Sequence, residues 1–66
     1  MKEQIVNILR EYPGLRKREI ACYLGCHHFK IISLLYEMES ENLVRTERVH
    51  DTANMEFYDK YFAIEG

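Results

Sequence analysis

Residues 20–44 read IACYLGCHHFKIISLLYEMESENLV, and the spacing of their apolar positions decides the fold. Ile20, Ala21 and Leu24 fall on one face of a short helix, and Gly25 follows them, where the chain can take a positive φ without steric penalty. From His27 onward, Ile31, Leu34, Leu35 and Met38 recur at i, i+3, i+4 and i+7. That period predicts another, longer helix over 27–41 with one buried stripe. Asn42 stands where the chain must leave this helix, a place that Gly or Asn fills because both tolerate the left-handed conformation. Leu43 to Val49 then alternates apolar and polar side chains, which reads as a strand.

Working outward, Ile5, Ile8, Leu9 and Tyr12 share one stripe with Val6 at its edge, predicting a first helix over Lys2–Tyr12 that Pro13-Gly14 stops. The helix over Lys17–Leu24 has no Ser, Thr, Asp or Asn before it, so its start is expected to be weakly capped. Beyond the first strand, residues 50–54 carry polar turn chemistry, and Met55 to Ile64, rich in Phe57, Tyr58, Tyr61 and Phe62, reads as the returning strand. The result is an α+β chain: three helices followed by a two-stranded hairpin over 43–64, in a single domain 1–66.

Composition sets limits. Sixty-six residues bury only about 60% of their unfolded surface, so most apolar side chains must serve the core. At 47% hydrophobic residues with one Pro and three Gly, the chain is globular rather than disordered. No apolar run is long enough to span a bilayer and no secretory leader is legible, so a cytoplasmic location is expected. The two cysteines fit a reducing compartment. Net charge is −2, but it is unevenly spread. Residues 10–36 carry Arg10, Arg16, Lys17, Arg18 and Lys30 against Glu11 and Glu19, whereas Glu37, Glu39 and Glu41 make the far end of the third helix acidic. A small basic surface therefore remains at the start of the second helix.

Through Arg18-Glu19-Ile20-Ala21-x-x-Leu24-Gly25, Leu35-x-x-Met38 and Asn42-Leu43-Val44, the chain resembles the winged helix-turn-helix family, in the pattern of MarR- and ArsR-type regulators and of small standalone PapI-type proteins. The resemblance covers nearly the whole chain. It implies that 43–64 is the wing, that residues 15–16 can add a minimal third strand, and that the third helix enters the major groove of duplex DNA to regulate transcription.

On a helical wheel Phe29, Ser33, Tyr36 and Ser40 lie opposite the buried stripe, with Lys30 on one flank and Ile32 on the other. The expected DNA contacts are therefore Phe29, Lys30, Ser33 and Tyr36 from this face. Phosphate contacts are expected from Arg16, Lys17, Arg18 and His28, and wing contacts from Arg45 and Arg48. The competing reading is a protein-interaction domain that docks through Phe29, Ile32 and Tyr36, and a homodimer is a further expected partner state. Cys22, Cys26, His27 and His28 are zinc-ligand types at a spacing that matches no knuckle, so no metal or other cofactor is expected. No catalytic motif is legible, and the chain reads as a non-enzyme.

Overall fold

The computed structural model describes residues 1–64. Helices α1 (Lys2–Glu11), α2 (Lys17–Leu24) and α3 (His28–Ser40) precede strands β1 (Val44–Asp51) and β2 (Glu56–Ala63). The strands pair antiparallel from Val44 opposite Ala63 to Asp51 opposite Glu56. Leu15 makes an isolated antiparallel bridge to Tyr61, so the expected third strand is one residue long. The arrangement is the three-helix, hairpin-last layout of a winged helix.

The core is made of Ile5 and Leu9 of α1, Ile20 and Ala21 of α2, Ile31, Leu35 and Met38 of α3, and Val44 of β1, all at most 3% exposed. Val6, Leu15, Leu24, Leu34, Tyr61 and Ala63 pack around them. Every fully buried side chain among the described residues is apolar, so no desolvated polar group must be offset. At the surface, Lys2 bridges to Glu37 and Glu41 at 3.5 and 2.9 Å and ties the start of α1 to the end of α3.

The turns obey local chemistry. Gly25 caps α2 at φ 68°, and the N–H groups of Gly25 and Cys26 donate to the carbonyls of Cys22 and Ala21. Asn42 takes φ 61° as its position demands, and Leu43 N–H closes α3 on Met38 O at 2.9 Å.

Several details differ from the sequence reading, among them β1, which starts one residue later than expected and runs on to Asp51, so that His50 and Asp51, expected in the turn, continue the strand ladder to Phe57 and Glu56. Tyr12 lies outside α1 and is 45% exposed, because the residue before a proline is driven out of the helical region; its ring stacks instead on Tyr23 at 5.2 Å. Helix α2 is better started than expected: Glu19, three residues in, accepts the Arg16 backbone N–H at 3.0 Å. The reciprocal bond of a full capping box is not available, since a guanidinium has no acceptor. Helix α3 begins at His28, because His27 Nδ1 accepts the Phe29 N–H at 3.3 Å and makes His27 the cap. Finally, Met55 sits at φ 55° in the hairpin turn, which delays β2 to Glu56.

Candidate nucleic-acid interface

The candidate site is built where α2 starts, α3 starts and the hairpin passes alongside. Lys17 and Arg18 occupy the first turn of α2, where positive side chains oppose the helix dipole and so gain nothing locally. Both lie close enough to His28 to lower its pKa below the ordinary 6.5; partial desolvation is the largest cause, followed by His27, Arg18 and Lys17. The His28 ring sits within a packed trio, 4.7 Å from His27 and 4.5 Å from Phe29. Two starts of helices therefore converge on one cationic, aromatic corner.

Along α3, Phe29 and Tyr36 are 68% and 73% exposed, and Lys30 and Ser33 are exposed with them. Ile32 is half-buried. The outward face predicted from the wheel is thus the face that solvent sees. Neutralisation separates the basic residues further. Arg48 Nε lies 3.3 Å from Asp59 Oδ1 and Arg45 lies 3.9 Å from Glu47, whereas Lys17, Arg18 and Lys30 have no carboxylate partner among the described residues. Arg16 stacks over the Tyr58 ring at 3.8 Å.

Strand geometry divides the wing. Side chains alternate across a sheet, so Val44, Thr46, Arg48 and His50 share one face with their partners Ala63, Tyr61, Asp59 and Phe57. Arg45 lies on the other, over the Phe62 ring at 4.3 Å. The structure thus gathers Arg16, Lys17, Arg18 and Arg48, with the carboxylates of Glu56 and Asp59, around an open groove of about 440 Å³ along β2 that Arg45 does not line. A second open groove, about 480 Å³, runs between α3 and the core-facing side of the hairpin. Its residues Glu39, Thr46, Asp59 and Tyr61 were not legible as a unit in the sequence; the register pairing Thr46 with Tyr61 and Arg48 with Asp59 is what joins them. Thr46 Oγ1 donates to Glu39 Oε1 at 3.1 Å. Burial, then Asp59, Glu39 and Tyr36, raise the Tyr61 phenol above its usual pKa. Toward the hairpin tip His50 stacks on Phe57 at 4.5 Å, again on this face.

Cys22 is exposed and Cys26 half-buried against the core, and both thiols are free. Among the described residues no group of three or more His, Cys, Asp or Glu stands close enough to hold a metal ion, and no helix is long and apolar enough to cross a membrane. Comparison with family models, curated proteins and solved structures returns no match.

Proposed function

We propose that the chain is a DNA-binding module that regulates transcription, with α3 laid in the major groove and the hairpin as its wing. One observation carries this reading: Lys17 and Arg18, cations without carboxylate partners, meet His28 at the entrance to an exposed helix face that continues through Phe29, Lys30, Ser33 and Tyr36. Helix stability gives no reason for bases at the start of α2, whereas phosphate contact does. Arg16 and Arg48 extend the contact along the groove beside β2.

The expected behaviour is measurable. Three to four neutralised phosphates give a log K against log salt slope of about −2.7 to −3.6. Fluorescence anisotropy on random-sequence duplex across a salt series should return that slope, and Lys17→Glu with Arg18→Glu should abolish binding. Absence of binding at low salt would overturn the reading.

The exposure of Phe29 and Tyr36 favours one competing function, docking of a partner protein on the Phe29, Ile32, Tyr36 surface. The same charge reversal separates the two, since it would leave such docking intact. A homodimer on DNA belongs to the first reading, and light scattering of the free and DNA-bound protein reports it.

A further inference from the structure

The groove between α3 and the hairpin has poorer chemistry for a phosphate backbone than its neighbour along β2. From α3 it is lined by Ile32, Tyr36 and Glu39, and from β2 by Asp59 and Tyr61. Here two carboxylates offset the two cations Lys17 and Arg48, whereas the groove along β2 sets four cations against Glu56 and Asp59, so a phosphodiester is favoured there over this position. The carboxylates of Glu39 and Asp59 welcome donors: Glu39 gives one oxygen to Thr46 and Asp59 gives one to Arg48, so the second oxygen of each remains able to accept. Lys17 and Arg48 line both this groove and the neighbouring one along β2, so the cations continue from one into the other. Phosphates along the cations and a flat, amino-bearing ring at the carboxylates is the pattern of a nucleotide turned base-first into the protein.

The α3 face supplies the complementary half of the argument. Base edges in an intact major groove are read mainly by Arg, Lys, Asn and Gln, yet Phe29, Ser33, Tyr36 and Ser40 include none of these, and Lys30 lies on the flank. An aromatic ring as exposed as Tyr36 offers a stacking surface that any base can use. The open groove, about 480 Å³, has room for a single base.

We propose that this groove receives one unstacked base carrying an exocyclic amino group, from a bulge or an opened step in the bound DNA, stacked on Tyr36 and donating to Glu39 or Asp59. The proposal rests on the DNA-binding reading above and adds to it the structural state of the DNA that the protein selects.

Three duplexes of one sequence test it by anisotropy: fully paired, with a single extra cytosine, and with an abasic site at that bulge. The cytosine bulge is expected to bind about tenfold tighter than the paired duplex, the scale of one base stacked on an aromatic ring. The abasic bulge should match the paired duplex, and Tyr36→Ala should bring the ratio of bulged to paired affinity to about one. Tyr36 lies outside the core, and unchanged circular dichroism of the variant confirms that its fold survives. Equal affinity for all three duplexes overturns the groove assignment and leaves duplex binding standing. An abasic bulge as tight as the cytosine bulge also overturns it, because flexibility alone would then explain the preference. No binding of the unaltered protein to any of the three duplexes removes the DNA reading itself.

Discussion

Under the proposed DNA-binding function, His28 is the residue at which folding and binding pull in opposite directions. Partial desolvation and the positive neighbours His27, Arg18 and Lys17 hold its pKa below 6.5 in the folded chain. Between that lowered value and 6.5 the unfolded chain binds more protons, so this residue's contribution to stability is complete above about pH 6.5 and is lost as pH falls through the folded pKa. A phosphate set against the same corner favours the imidazolium. DNA affinity is therefore expected to rise from about pH 7.5 to about pH 5.5 while the melting temperature falls. Anisotropy and thermal melts run in parallel check this, and His28→Gln should flatten the residue's share of both curves. A pH response identical in the variant would place the proton uptake elsewhere.

At the scale of elements, the hairpin carries an identifiable strain. Asp51 accepts the backbone N–H groups of Ala53 and Asn54 and the Asn54 side-chain amide, a self-contained turn that lowers its carboxyl pKa. The chain then re-enters β2 through Met55 at φ 55°, a conformation that costs a side chain with a Cβ about 1–2 kcal/mol. Met55 is 79% exposed and gains little packing there. Met55→Gly should therefore stabilise the fold by about 0.5–1 kcal/mol after the greater entropy loss of glycine, a rise of a few degrees in melting temperature. Calorimetry that finds no gain would mean that Met55 is held by contacts at the tip.

At the scale of the whole molecule, stability is small enough that single core residues decide it. Sixty-six residues at about 0.05–0.15 kcal/mol each amount to roughly 3–10 kcal/mol. Leu35 is 1% exposed at the centre of the α3 stripe, and Leu35→Ala should cost about 2–5 kcal/mol through lost transfer energy and the cavity left behind. Urea titration should show the midpoint falling sharply or the cooperative transition vanishing. Exposed positions such as Tyr36 carry no such penalty, which keeps tests of the interface separate from tests of folding.

The helices and the hairpin, the buried stripe of α3 and the left-handed Gly25 and Asn42 were determined by the sequence alone, because periodicity and allowed φ depend on near neighbours along the chain. The outward placement of Phe29, Ser33 and Tyr36 was legible for the same reason. Glu19 as a partner for the start of α2 was also legible, three residues after Arg16, although the absence of Ser, Thr, Asp or Asn at the cap pointed the other way. Tertiary structure decided what distant segments make together. Strand register put Arg48 with Asp59 on the α3 side and Arg45 over Phe62 on the other, although both arginines read alike as wing charges. The meeting of Lys17 and Arg18 with His28, and the groove that sets Tyr36 beside Tyr61, Glu39 and Asp59, likewise required the helices and hairpin to pack around one core. Charge pairing and groove shape depend on distances across the fold, and a one-dimensional pattern fixes those only after the apolar faces have closed on each other.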